Sequence, residues 1–498
     1  NYTHQNTIIM QRSLTPNVAW ATPYWHVRNP ATRHHFWWRL LNGCFGSSHF
    51  TYRFMFYPDL TPMPSTAEAA AVVQEFQSGV AKLLKNCTRI SDIGIHYSQA
   101  SIRGAFISGA SSLFRENRMG WVQALEDSGF QGEFLAREQL ESGELSARGY
   151  QAFVLPFSVA MSAKEGRALR RYVEDGGLLI ADGKTGLMDE RCKTRERGLL
   201  DDVFGIGRPE VDPLVAPREG EARFERNHGA CELRDLGLDL SVAEQALTLA
   251  AGGEALGTHG KAPLAVVKKV GKGTAVFLNF FLDSLPHRRK LGMGKPMREL
   301  ARNILLLDGV EPAIRVDVEA DPPPHMFTVS YTSGAALYVA SLMSHEGKTA
   351  GWTAPVSLTF PKAGYVYDIR GGLALGRVEG ARLNLLAGEP ALYGILPYRV
   401  SAVSVAPLTG VVTRGEPVRY EVAIQADAQQ AGMHVIQAEV VDPGGVVRAH
   451  YSTRLLTRGG MATGEFVPAL NDPTGLWTIR ATDYVTRATG SAQLELRP

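Results

Sequence analysis

Residues 152–183 read AFVLPFSVAMSAKEGRALRRYVEDGGLLIADG, and no other stretch constrains the fold as tightly. AFVLPF (152–157) and LLIADG (178–183) are short and apolar almost throughout, which suits strands covered on both faces. Between them, SAKEGRALRRYVEDGG (162–177) has helical periodicity and stops at a glycine pair. A strand, a helix and a second strand in this order make a crossover between parallel strands. The same alternation runs through IGIHYS (93–98), SLFRENRMGWVQALEDSG (112–129) and GEFLA (132–136). KAPLAVVKKVGKGTAVFLNF (261–280) reads as a hairpin turned at Gly271-Lys272-Gly273, and PMRELARNILLLDGV (296–310) as a closing helix.

Gly176 and Gly177 lie between a helix and a strand, where glycines can cradle a phosphate. They follow their helix, however, and a helix C-terminus carries the negative end of the dipole. A phosphate cradle needs its glycines before the helix. The pair is expected to end the helix and turn the chain. No strand leads into Gly-x-Gly-x-x-Gly or Gly-x-x-x-x-Gly-Lys-Ser/Thr. Amidotransferase chemistry on such a sheet needs a cysteine at a tight strand-to-helix elbow. After AFVLPF the turn is SVAMSA, and Cys192 sits in the charged segment DERCKTRERG.

Length and charge narrow the function classes. A chain of 498 residues exceeds one hydrophobic core and divides into several domains. A net charge of +2 without a strongly basic stretch argues against a nucleic-acid partner. There is no 18-residue apolar run for a membrane span. Cys44, Cys87, Cys192 and Cys231 are far apart with no C-x-x-C, so reduced, mostly buried thiols are expected and no metal site. Nothing in the sequence calls for a cofactor, and nothing assigns a compartment.

The N-terminal ninety residues are aromatic. Trp20, Trp25, Trp37 and Trp38 fall within nineteen residues, beside Tyr24, His26, His34, His35 and Phe36. NTIIMQRSLTPNVAW predicts a strand and then a loop, as though the chain were entered within a fold that began earlier. TRHHFWWRLLNGC (32–44) predicts a helix, SSHFTYRFMFY (47–57) a strand, and STAEAAAVVQEFQSGVAKLLKN (65–86) a second helix capped by Ser65 with Glu68 three residues on. Trp37 and Trp38, on the helix, are expected in the core. Trp20, Trp25 and His26 lie in a loop after the first strand, where a flat indole or imidazole suits a sugar ring.

The C-terminal third alternates as strands do. The run from EPAIRVDVEA to ILPY predicts a β-sandwich, and residues 400–498 an immunoglobulin-like sandwich with Trp477 in its core. The resulting architecture is multidomain, α/β plus all-β. Its expected pieces are 1–91, an α/β segment; 92–311, a parallel-sheet domain; 312–399 and 400–498, two β-sandwich modules.

Together, IGIHYSQAS, GYQAFVLPFSVAMSAKEGRALRRYVEDGGLLIADGKTGLMDE and GKGTAVFLNFFLDS resemble the trimerisation domain of family 42 glycoside hydrolases, the β-galactosidases. The resemblance covers about residues 8–310. It implies a flavodoxin- or amidotransferase-like fold without amidotransferase chemistry, preceded by the C-terminal part of a (β/α)8 barrel at 1–91. It also implies a homo-oligomer, trimer or dimer, and a carbohydrate substrate. The family's seventh barrel strand ends in Met-Glu, the Glu being the nucleophile, with a tryptophan eight or nine residues on. The resemblance sets Met10-Gln11 on that pair, Trp20 on the sugar-contacting tryptophan, and Arg53 near the end of the eighth strand; Trp25 and His26 stay candidate sugar contacts on their loop position alone. Position 11 is Gln, and a neutral amide cannot form the glycosyl ester of a retaining enzyme. The acid/base Glu belongs to the fourth barrel strand, in a region expected to precede this chain. Two readings follow: part of a retaining β-glycosidase, inactive without the rest of its barrel, or a catalytically inactive carbohydrate-binding or assembly protein derived from it.

Overall fold

The computed structural model describes residues 3–14, 21–24, 31–49, 55–213, 218–221, 223–234, 236, 238–320, 324–344 and 351–498. Two compact units emerge. One gathers Asn1–Val18, Ser91–Ala313 and Ala320–Phe327; the other gathers Ala19–Ile90, Ile314–Glu319 and Thr328–Pro498.

The chain begins with helix α1 (Thr3–Leu14). This corrects the strand expected around Ile8–Gln11. The run Thr7-Ile8-Ile9 is β-branched and looks like a strand, but Ile8, Ile9 and Ser13 are buried together on one helical face. Next come β1 (Ala21–Tyr24), α2 (Ala31–Leu41), β2 (Gly46–His49) and α3 (Pro64–Glu75). Of the expected strand 47–57, residues up to His49 lie in β2, 50–54 lie outside the described residues, and 55–62 form a turn closed by a Phe56–Pro62 bridge, with Leu60 donating to the Tyr57 carbonyl. The second expected helix is broken by a π turn at Phe76–Val80. Gly79 makes that turn at φ 156°, and a Cβ there would lie 2.5 Å from the Tyr484 ring.

The first unit is built on β3 (Ile93–Tyr97), α4 (Gln99–Ile107), α5 (Ser111–Asp127), β4 (Gly132–Ala136), β5 (Ala152–Leu155), α6 (Ala163–Glu174) and β6 (Leu178–Asp182). It continues with β7 (Arg223–Phe224), β8 (Glu254–His259), β9 (Ala262–Val270), β10 (Gly273–Leu278), α7 (Leu285–Lys290) and α8 (Lys295–Leu306). The eight-stranded sheet has the order β7-β8-β9-β10-β6-β5-β3-β4. Its parallel half, β4-β3-β5-β6-β10, follows the flavodoxin-like order 2-1-3-4-5, with the switch point between β3 and β5. The apolar runs read from the sequence are these strands: every residue of β5 and β6 is buried. Phe153, Leu155, Leu169, Tyr172, Leu179 and Phe277 form one cluster, each contributing about 1.5–3 kcal/mol by leaving water.

Ser162 caps α6 and accepts from the Glu165 N–H, while the Glu165 carboxylate accepts from the Ser162 N–H. The helix ends as expected: Gly176 takes φ 124°, and Gly177 packs so closely on Tyr172 that a Cβ would sit 2.3 Å from its ring. The opposite edge of the sheet, β4, is closed by α1. Ser13 Oγ accepts from the Phe134 N–H at 3.0 Å, and Arg12 donates to the Gly132 carbonyl at 3.0 Å.

The second unit is largely antiparallel. β11 (Arg315–Val318), β12 (Met326–Ser333), β13 (Ala336–Met343), β14 (Thr353–Asp368), β15 (Leu373–Leu386) and β16 (Pro390–Leu396) join Thr88–Arg89 in a seven-stranded sheet. Its order is β11-β14-β16-β13-β12 and then Thr88–Arg89, with β15 paired to β14. The last hundred residues fold as two facing sheets. β17 (Val400–Pro407), β19 (Val418–Ala426) and β22 (Met461–Phe466) make one. The other holds β18 (Val411–Thr413), β20 (Val435–Val441), β21 (Thr453–Leu456), β23 (Gly475–Asp483) and β24 (Thr489–Arg497). Trp477 lies buried in this module and donates Nε1–H to the Pro473 carbonyl at 2.9 Å.

Candidate functional site

β1 and β2 pair in parallel, from Ala21 opposite Gly46 to Tyr24 opposite His49, with α2 as the connection. The C-terminal ends of the two strands therefore lie side by side, the end at which β/α barrels carry their chemistry. Trp25 and His26 follow β1 in the chain, and Arg53 follows β2. All three, and Trp20, lie outside the described residues. Gln11 does not end a strand. It is half-buried on α1, in the compact unit of the parallel-sheet domain, while β1 and β2 belong to the other unit.

Helix α2 is fixed from its far side. Trp37 is fully buried, edge-on to Phe76 with ring centres 4.8 Å apart, and Trp38 is buried beside it. The Arg370 guanidinium lies 5.2 Å from the Trp37 ring centre. Arg370 also binds Glu75 at 2.7 Å, Glu389 at 2.8 Å and the Pro390 carbonyl at 2.6 Å. Arg33 of α2 pairs with the same two carboxylates, Glu75 and Glu389. Two guanidiniums and two carboxylates thus close a ring in which every charge has two opposite neighbours. The tryptophans of α2 are structural, as their helical spacing implied; the ring that holds them draws on residues more than 300 positions apart and had no local signature.

The switch point of the parallel sheet is the other place where this fold accepts ligands. It is filled by the chain's own side chains. Phe157 follows β5 at φ 46°, an elbow conformation few non-glycine residues adopt, and its ring is buried between Phe114 and Phe281. The Phe157 N–H donates to Asp182 at 2.7 Å. Asn117 and Trp121 of α5 donate to the second oxygen of Asp182 at 2.7 and 2.6 Å. Burial pushes the Asp182 carboxyl up to about 7 against the pull of these donors.

Beside the elbow, His96 of β3 contacts Ser158 Oγ through Nδ1 at 2.8 Å and Glu165 through Nε2 at 3.0 Å. Burial pushes Glu165 up, and its hydrogen bonds with His96 and Ser162 more than reverse this, leaving it below the usual carboxylate range. The Ser98 and Ser101 hydroxyls donate to the Ala160 carbonyl at 2.8 and 2.9 Å. Ser158, His96 and Glu165 have the connectivity of a hydrolase triad. Yet their exposures are 1, 2 and 1 %, so no substrate carbonyl reaches the hydroxyl. The cluster pins β3, the elbow and the start of α6 together. Among the described residues, no three His, Cys, Asp or Glu side chains come together as metal ligands.

Residues 137–289 match the family model of the β-galactosidase trimerisation domain. Comparison with curated proteins finds no match. Solved structures with the same fold include Gan42B, a GH42 β-galactosidase of G. stearothermophilus, at 14% identity and TM-score 0.58 over 79% of this chain and 56% of that one. The β-galactosidase of Bacillus circulans sp. alkalophilus is similar at 15% identity and TM-score 0.58, over 79% and 58%. The cold-adapted β-galactosidase of Rahnella sp. R3 is similar at 14% identity and TM-score 0.55, over 79% and 57%. The chain spans little more than half the length of these relatives. Residues 137–289 thus form a domain of the β-galactosidase trimerisation type, and the chain shares its fold with a little more than half the length of these family 42 β-galactosidases.

Proposed function

We propose that the chain is part of a retaining glycoside hydrolase acting on β-galactosides or related β-glycosides. The β1–α2–β2 unit contributes an edge of the barrel, and the segments after its strands supply sugar contacts from Trp20, Trp25, His26 and Arg53. Retaining hydrolysis needs a nucleophilic carboxylate and an acid/base carboxyl about 5–5.5 Å apart. The acid/base carboxyl comes from a further β/α unit of the same barrel, and Gln11, set by the resemblance at the nucleophile position, carries no carboxylate with which to form the glycosyl ester. The observation that supports this reading is the chain order: a parallel β–α–β unit, then the trimerisation-type domain, then β modules. The parallel-sheet domain serves assembly of a homo-oligomer, trimer or dimer, because its switch point is already occupied.

The test is hydrolysis of 4-nitrophenyl β-galactoside and related β-glycosides by the protein expressed from its complete reading frame. Trp25→Ala and Arg53→Ala are expected to lower kcat/KM at least about tenfold, the loss of one good substrate contact. Absence of turnover on every β-glycoside sinks the enzyme reading. It then favours an inactive carbohydrate-binding or assembly protein, a role with which the filled switch point agrees.

A further inference from the structure

Among the described residues, strand β15 is an edge without a partner on its outer side. It pairs only with β14, from Leu386 opposite Thr353 to Leu373 opposite Asp368. Over residues 373–379 it stands away from the core: all are exposed except the half-buried Val378. Leu373 is 60 % exposed and Leu375 39 %. Opposite Glu379 the register of β14 breaks between Thr359 and Gly364, and a second shift between Val366 and Tyr367 leaves Leu375 as an extra residue on β15, so β15 keeps regular pairing with β14 from Gly376 to Val378 between the two irregularities. Long, exposed edge strands of this kind pair with other chains unless something blunts them. Here the only charges on the exposed stretch are Arg377 and Glu379, and neither takes part in an ion pair among the described residues.

These two charges are spaced for self-recognition. We propose that β15 is an interface with a second copy of this chain, the two strands running antiparallel about a two-fold axis through Val378. In that register Arg377 faces Glu379 of the partner subunit, and Glu379 faces Arg377 of the partner subunit. All four charges fall on one face of the joined sheet, alternating in sign along and across the strands, the arrangement that stabilises an antiparallel pair. The contact is isologous, so it closes at two copies instead of propagating. A register shifted by two residues sets Arg377 against Arg377 of the partner subunit in one direction and Glu379 against Glu379 of the partner subunit in the other, so both opposite-charge pairs are lost and one like-charge pair appears. The two-fold contact does not depend on the glycosidase reading. It is a contact separate from any that the parallel-sheet domain makes.

The experiment is sedimentation velocity with light scattering on the full chain and charge-reversed variants. Arg377→Glu gives Glu-Val-Glu on β15, and Glu379→Arg gives Arg-Val-Arg. In each alone, like charges meet across the axis, and the mass is expected to fall to half that of the unmodified protein. Mixing the two variants pairs an all-acidic strand with an all-basic one and is expected to restore the larger mass; so is the doubly reversed chain, Arg377→Glu with Glu379→Arg. Both positions are exposed, and unchanged circular dichroism and melting establish that the variants fold. Equal masses for the unmodified and singly reversed proteins overturn the proposal. So does a mixture that fails to recover the larger mass.

Discussion

The Arg289 guanidinium grips the Asp127 carboxylate with two parallel bonds, Nε to Oδ2 at 2.9 Å and Nη2 to Oδ1 at 2.8 Å, tying α7 to α5. Both side chains are almost fully buried, and His325 adds a third contact to Asp127 at 3.2 Å. Burial pushes Asp127 up, but Arg289 and His325 outweigh it and hold the carboxyl far below the usual range. Because the folded value is depressed, this stabilisation is present above the ordinary carboxylate pKa of about 3.9 and is lost as pH falls below it. Urea titrations from pH 7 to pH 3 are expected to show the gap between the unmodified protein and Asp127→Asn narrowing on acidification. At neutral pH, Arg289→Met strands a buried carboxylate and is expected to cost about 3–5 kcal/mol.

Asp182 has the opposite sign. Its folded value of about 7 lies above the ordinary carboxylate range, so the native state binds a proton that the unfolded chain releases. Its contribution to stability is complete below pH about 4 and is lost as pH rises through about 7. Replacing it by Asn removes the titration, and the pH dependence of the unfolding free energy between pH 5 and 8 is expected to flatten. An unchanged slope would show that Asp182 is ionised throughout, held so by Asn117, Trp121 and the Phe157 N–H.

The Ser158–His96–Glu165 cluster is expected to act in stability alone. A fluorophosphonate probe should leave Ser158 unlabelled in the native protein, and mass spectrometry of the labelled digest checks this. Glu165→Gln weakens both the His96 contact and the α6 cap, for a combined loss of about 1–3 kcal/mol in chemical denaturation.

Arg370 is expected to hold α2 through Glu75, Glu389 and the Trp37 ring together. Arg370→Met leaves two carboxylates sharing Arg33 and should cost about 1–3 kcal/mol. Arg370→Lys keeps the charge but cannot span both carboxylates, so its melting temperature should fall between the two. Equal melting temperatures for the Lys variant and the unmodified protein would mean that charge suffices without the fork geometry.

The parallel-sheet domain was legible because its signals are local. Runs such as AFVLPF and LLIADG are short, and glycines close the helices, so strand, helix and order follow from neighbouring residues. The N-terminus was not legible in that way. Ile8 and Ile9 look like a strand until Phe134, more than a hundred residues on, offers its N–H to Ser13 and makes a helix the better cover. The absence of an elbow cysteine could be read from SVAMSA, but not the positive φ of Phe157, nor the 69-residue reach from His96 to Glu165 that fills the crevice. Arg377 and Glu379 carry no motif at all; their meaning depends on β15 being an edge.

Ser13 and Arg12 cover the β4 edge with side chains instead of another strand, and this bears on solubility. A fragment begun at Ser91 would keep the whole parallel sheet yet bare the backbone of Gly132–Ala136, whose GEFLA sequence has a single charge to discourage stacking. The twelve residues of α1 thus shield this edge, and a fragment without them is expected to self-associate through Gly132–Ala136 at concentrations where the full chain does not.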